Sequence, residues 1–210
     1  MHLHEAVLSG SPEGIAVLCV GAVGTVAGTV LGLRAMDHEQ VPRVAMVSAM
    51  FFVVSLIHVP LGVTSVHLVL SGLVGLLLGW TAFPALLVAL LLQAVLCGHG
   101  GLLALGVNTL AMALPAVLVY YGFGRATKSD HPTLAFVAGC GAGAAAMLGS
   151  ALLMAAALWS AGEAFELAAK AVFGFHLAVA VVEGLVTGTV VVFLRQVRPE
   201  LLRLALHESM

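Results

Sequence analysis

The sequence predicts an all-α integral membrane protein, a single bundle of about seven hydrophobic helices. Three observations predict it. Of its 210 residues 61% are hydrophobic and only 9% are charged, against roughly 25% charged in a soluble domain. Mean hydropathy is +1.15. The stretch from Leu134 to Trp159 runs 26 residues without a charge, and roughly 20 apolar residues span the hydrocarbon core. A bilayer offers exposed backbone groups no partner, so the spans must be helices or a closed barrel. Barrel strands alternate with period two. These runs are continuously apolar and rich in Ala, Leu and Gly, which excludes the barrel.

Gly14 to Leu33 reads as the first helix and Val44 to His58 as the second. Val66 to Gly79 and Ala82 to Cys97 are shorter. At 1.5 Å rise per residue a 14-residue segment reaches only about 21 Å, so these two must be tilted, partly embedded or sheltered by neighbours. Pro84 falls near the start of its segment, where helices tolerate proline. Gly106 to Phe123, Pro132 to Trp159 and Ala171 to Leu194 complete the set.

Seven crossings place Arg34, Arg43, Arg125, Lys128, Arg195, Arg198 and Arg203 on one side and only Lys170 on the other. The excess of positive charge marks the cytoplasmic side. The N-terminus is then outside and the C-terminus cytoplasmic. The chain is expected to be one transmembrane domain over residues 1–210, with residues 1–13 as an extracytoplasmic segment packed into the bundle and 195–210 as a cytoplasmic tail. No basic residue precedes Arg34, so the start lacks the charged region of a signal peptide. The mature chain is expected to begin at Met1, with the bulky His2 disfavouring removal of the initiator.

The same topology sorts the histidines. His2, His4, His58, His67, His99 and His176 lie at or near the outer face, and His38, His131 and His207 inside. Imidazole is a common ligand for nickel, cobalt, copper and zinc. In Met1-His2 the terminal amine, the main-chain nitrogen of residue 2 and the His2 ring form one chelating unit. With the amide deprotonated they supply three nitrogens in a plane, which suits the square-planar or tetragonal preference of Ni(II) and Cu(II). His67 is the candidate to close the square, because it is expected to open a helix at the outer face after Gly62-Val63-Thr64-Ser65. The blander alternatives are an exposed side chain on a frayed end for His2 and a hydrogen-bonded interfacial histidine for His67. His58 and His99 suit supporting hydrogen bonds, and His4 is a further possible ligand.

Glu183 is the only acid deep within an expected span, and intramembrane charge requires a partner or cavity. It could accept a hydrogen bond from a histidine such as His176, or tie the last helix to another. Gly24, Gly28 and Gly32 share one helix face, fit for close packing within the bundle or against another membrane subunit. Cys19, Cys97 and Cys140 stand singly in apolar runs without metal or disulfide spacing and read as small buried hydrophobes. No nucleotide-binding motif, hydrolytic triad or basic-aromatic patch is present, so the chain is read as a transporter component without its own ATPase site, not as an enzyme or a nucleic-acid binder.

Three motifs carry a resemblance. Ile57-His-Val-Pro-Leu-Gly-Val-Thr-Ser-Val-His-Leu-Val-Leu-Ser-Gly72, Gly98-His-Gly-Gly-Leu-Leu-Ala-Leu-Gly-Val-Asn-Thr109, and Phe175-His-Leu with Val182-Glu-Gly-Leu-Val-Thr187, together with the Met1-His2 opening, resemble the CbiM/NikM family. These are the substrate-binding membrane subunits of energy-coupling-factor transporters for cobalt and nickel. The resemblance implies a seven-helix fold and a metal held by the Met1 amine, the main-chain and ring nitrogens of His2 and the ring of His67. It implies Ni(II) or Co(II) as transported substrate rather than prosthetic group. It further implies a cell-membrane complex with a transmembrane coupling subunit, two cytoplasmic ATPase subunits and often a small accessory membrane subunit. Ala6 stands where the family usually has glycine. The competing readings are a stand-alone metal permease or channel, for which Glu183, Asn108 and Gln93 are few and scattered, and a membrane enzyme or scaffold indifferent to His2 and His67.

Overall fold

The computed structural model describes Leu3 and residues 8–56, 58–61, 64–162 and 166–203, the side chains of 58–61, 64–67, 168, 169, 171, 172 and 203 excepted. Its helices are α1 (Pro12–Arg34), α2 (Val41–Ser55), α3 (Ser71–Leu78), α4 (Ala82–Cys97), α5 (Leu105–Phe123), α6 (Pro132–Ser160), α7 (Glu166–Val197) and the short α8 (Glu200–Arg203). A two-stranded hairpin, β1 (His58–Leu61) and β2 (Thr64–His67), joins α2 to α3. Five apolar helical stretches are long enough to cross a bilayer: Pro12–Arg34, Ser71–Cys97, Leu105–Phe123, Pro132–Ser160 and Phe173–Val197.

Packing contacts give the helices their directions. Gly21 and Gly24 of α1 meet Val107 and Leu110 of α5, so these two run parallel. Gly75 and Gly79 meet Ala116 and Tyr120, so α3 runs the same way. Ser48 Oγ donates to the Ala85 carbonyl and Gln93 Nε2 to Ser55 Oγ, which sets α4 parallel to α2. The start of α2 meets the end of α3, because Arg43 donates to the Leu77 carbonyl. The Ser71–Cys97 stretch therefore doubles back on itself. Gly79 makes the reversal at φ +55° and ψ −127°, a conformation that a Cβ would oppose. Antiparallel α6 and α7 close the bundle, with Gly139 on Gly188 and Gly143 on Glu183. Arg34, Arg43, Arg125, Lys128, Arg195, Arg198 and Arg203 fall at one end, and Lys170 at the other, paired with Glu166 at 2.6 Å. That hydrogen bond holds the exposed Glu166 carboxyl below its ordinary range.

The bundle is held as membrane bundles are, by small residues and hydrogen bonds between helices rather than by apolar contrast. Ser11 caps α1, accepting from the Gly14 N–H at 3.0 Å. Thr25 Oγ1 donates to the Gly106 carbonyl at 2.6 Å. Gly28 lies against the Phe83 ring and Gly32 against Trp80 and Pro84. The glycine face of α1 is thus spent on internal packing. Val20, Val23 and Val26 on its other faces are 63–70% exposed, as suits a side turned to lipid.

Three expectations are corrected. His67 does not open a helix. It ends β2 directly opposite His58, and helix resumes only at Ser71. The Val66–Gly79 segment begins in that strand, so α3 keeps only eight residues, and α2 ends at Ser55. Continuous apolar runs do not distinguish strand from buried helix by period. The cysteines are not uniformly buried: Cys19 is exposed, and Cys97 and Cys140 are intermediate, because apolar residues on a bundle's outer faces meet lipid.

A Cβ on Gly75 would overlap the Ala116 carbonyl oxygen, whereas one on Gly122 would meet nothing within 4 Å. Gly75→Val should cost about 3 kcal/mol or more through forced separation of α3 and α5. Gly122→Ala should leave the thermal midpoint in detergent unchanged or slightly raised.

Candidate metal centre

The nitrogen donors singled out in the sequence belong to two segments, the extreme N-terminus and the hairpin. Met1, His2 and His4 lie outside the described residues. The backbone of His67 is described, paired in register with His58. Both segments are anchored at positions one to three residues from the expected donors.

The first anchor is Asn108, in the first turn of α5. Its Oδ1 accepts from the Leu3 N–H at 2.9 Å and its Nδ2 donates to the Leu3 carbonyl at 3.1 Å. One amide side chain thus satisfies both main-chain groups of one residue, as a strand partner would. Leu3 is 4% exposed and Asn108 2% exposed. Residue 3 is therefore fixed inside the bundle at the start of α5, the end of the molecule where the hairpin also lies.

The second anchor is Glu183, near the middle of α7 and fully buried. Its Oε1 accepts from the Val69 and Leu70 N–H groups, and its Oε2 from Leu70 at 2.8 Å. Leu70 has φ +51°, a left-handed conformation that costs a bulky side chain roughly 1–2 kcal/mol. The carboxylate also stands at the N-terminus of α3, where unpaired amides and the helix dipole favour negative charge. The second expectation describes this: Glu183 ties the last long helix to the N-terminus of α3, through the backbone just beyond His67. His176 shares its buried stripe on α7, but seven residues, about 10 Å along the axis, separate them.

The Gly-His-Gly-Gly motif forms the turn between α4 and α5. Gly98, Gly100 and Gly101 all have positive φ, at +68°, +81° and +87°, so the motif's glycines are a backbone requirement. His99 is half-buried within this turn, its N–H donating to the Gln93 carbonyl at 3.2 Å. Gln93 Nε2 in turn bonds Ser55, the last residue of α2. The start of the hairpin is tied to α4 through these residues. Among the described residues no three His, Cys, Asp or Glu side chains gather into a metal-holding group. The sequence marks Asn108 only as a scattered polar group, and Glu183 as a deep acid that requires a partner. Their partners are main-chain atoms, which leave no mark in a sequence.

The chain matches a family model described as the cobalt uptake substrate-specific transmembrane region over residues 2–201. It is 38% identical over 205 residues to a Haemophilus influenzae protein provisionally described as a metal transport protein, covering 96% of this chain and 97% of that one. It is 41% identical over 88 residues to the fused nickel transport protein NikMN of Rhodobacter capsulatus, covering 41% of this chain and 25% of that one. A crystal structure of a transition metal transporter superposes with TM-score 0.72 at 28% identity, covering the whole of both chains.

Glu183→Leu leaves two buried backbone N–H groups without an acceptor and should destabilise the protein by roughly 2–4 kcal/mol. Glu183→Gln keeps one acceptor oxygen and should cost about half as much. Thermal unfolding in detergent, with amide exchange read at Val69 and Leu70, checks this. Asn108→Leu should release the N-terminal segment to aminopeptidase digestion that the wild type resists.

Proposed function

The chain belongs to the family of cobalt uptake substrate-specific transmembrane regions, a multi-pass membrane protein of metal uptake, and on that premise we propose that it is the substrate-capturing subunit of an ATP-driven energy-coupling-factor transporter for Ni(II) or Co(II). Its metal site would comprise the Met1 amine, the main-chain and ring nitrogens of His2 and the His67 ring. The observation that supports this most strongly is the pair of anchors. Asn108 fixes the main chain one residue after His2, and Glu183 fixes it two residues after His67. Two short segments that carry the donors thus hang from rigid points at one end of the bundle.

The chemistry follows from the donor set. Three nitrogens from one chelating unit and one imidazole make a four-coordinate site with a strong in-plane field, favourable to Ni(II). Ligation of the main-chain nitrogen releases its proton, so affinity should rise with pH. Pre-anchored segments lose little conformational freedom on binding, which raises affinity. Asn108 and Glu183 are occupied in holding backbone, and the Gln93 Nε2 in holding Ser55. They supply no polar path, which speaks against a stand-alone permease. Transport would then rely on a transmembrane coupling subunit and two cytoplasmic ATPases, with a small accessory membrane subunit where one occurs. The end that carries the seven basic residues would face the cytoplasm and the metal site the outside of the cytoplasmic membrane.

Calorimetric titration of the purified chain, starting at Met1, should show tight Ni(II) or Co(II) binding. Loss of an outer-shell partner costs a metal site about 10–100-fold in affinity. Adding one residue before Met1, or His67→Ala, should cost more than that. Unchanged affinity in either variant would sink the proposed ligand set, and metal uptake by proteoliposomes holding this chain alone would favour the permease.

A further inference from the structure

All eight residues of α3 are buried, and a polar side chain from another helix ties each of its ends. At the N-terminal end, Glu183 takes the Val69 and Leu70 amides. At the C-terminal end, the Arg43 guanidinium donates both to the Leu77 carbonyl of α3 and to the Leu201 carbonyl of α8. The Arg43 cation suits the C-terminal end of the helix dipole, and each side chain satisfies groups that a helix terminus leaves unpaired. Arg43 lies in the first turn of α2, at the end of the bundle opposite the hairpin.

Between the clamps the helix has no lateral freedom. A Cβ on Gly72 would stand 2.6 Å from the Gly143 Cα, and one on Gly75 would overlap the Ala116 carbonyl. Backbone touches backbone on two faces, and such interiors transmit strain rather than absorb it. From Leu77 to Leu70 is about 10 Å of helix, and the three residues that lead back to His67 are held at Val69 and Leu70 by Glu183. The Arg43 clasp and the strand end at His67 are thus joined through α3 and the turn that Glu183 holds.

We infer that Arg43 is a positioning residue for the metal site. The clasp of Arg43, Leu77 and Leu201 sets the place of His67 through α3, and displacement of α8 alters how fast the metal leaves. The inference rests on the reading of His67 as a ligand. It gives the far end of the bundle a means to govern release without contact with the metal. Linkage makes the effect reciprocal: if the clasp changes metal affinity, bound metal must tighten the clasp by the same factor.

Two measurements on the full chain in detergent test it. Nickel dissociation into excess chelator should be on the order of tenfold faster in Arg43→Met than in wild type. Arg43→Lys should recover part of the difference. Arg34→Met, which removes a charge from the same end outside the clasp, should stay within about twofold of wild type. In the wild-type chain, nickel should slow amide exchange at Leu77–Thr81 and Arg198–Leu202 but not in the first turn of α6, at the same end. A merely structural arginine would produce no such metal-dependent protection. Dissociation from Arg43→Met within about twofold of wild type, or exchange at the clasp indifferent to nickel, overturns the inference. Should Arg43→Met fail to fold, the exchange measurement decides alone. A wild-type chain that binds neither nickel nor cobalt overturns instead the metal-capture reading on which the inference depends.

Discussion

A carboxylate in the middle of a bundle is the constraint around which the rest of the structure is arranged. Burying an ionised acid in low dielectric costs several kcal/mol unless other groups replace its water. Glu183 receives that replacement from two backbone amides. Those amides exist as donors only because the chain at residues 68–70 is neither helix nor strand. Irregular backbone at membrane depth is tolerated only where protein satisfies it. The acid and the break in secondary structure therefore need each other. Together they dictate the left-handed turn at Leu70, the start of α3 and the placement of the hairpin.

Much of the architecture was legible in the sequence because lipid imposes simple rules. Long uncharged runs read as spans, and the arginines gave the bundle two distinguishable ends. Illegible features arise where tertiary partners override local pattern. Val66 to Gly79 is as apolar as a helix, and no periodicity separates its strand residues from its helical ones. Asn108 and Glu183 could be flagged as polar groups in an apolar setting. Their partners are main-chain atoms more than 100 residues away in sequence, and a main-chain atom carries no residue identity. The Gly-His-Gly-Gly motif was visible as a pattern, but its physical reason, a positive φ angle at each of its glycines, appears only in the fold.

The exposed surface inverts the habits of a soluble protein. Val20, Val23 and Val26 on α1 and Leu152 and Trp159 on α6 are each at least 60% exposed, while Thr25, Ser48, Ser55 and Gln93 are buried. Burial of apolar area does little to hold helices together when lipid is equally apolar. The polar and small residues hold them instead, by hydrogen bonding across helices and by letting backbones touch. Membership of a cobalt uptake family fits a bundle whose helices touch backbone to backbone.

The reversal at Gly79 also bears on how the protein is made. With only eight residues, α3 is too short to enter a bilayer as an independent span, so it must go in together with α4 as a hairpin. Its leading amides then wait for an acceptor that arrives more than 100 residues later, on the last long helix. Every donor of the proposed metal site leaves the ribosome within the first third of the chain, yet the site takes its final form only when α7 docks. A chain broken off before Glu183 would carry all the proposed ligands and still lack the place to put them.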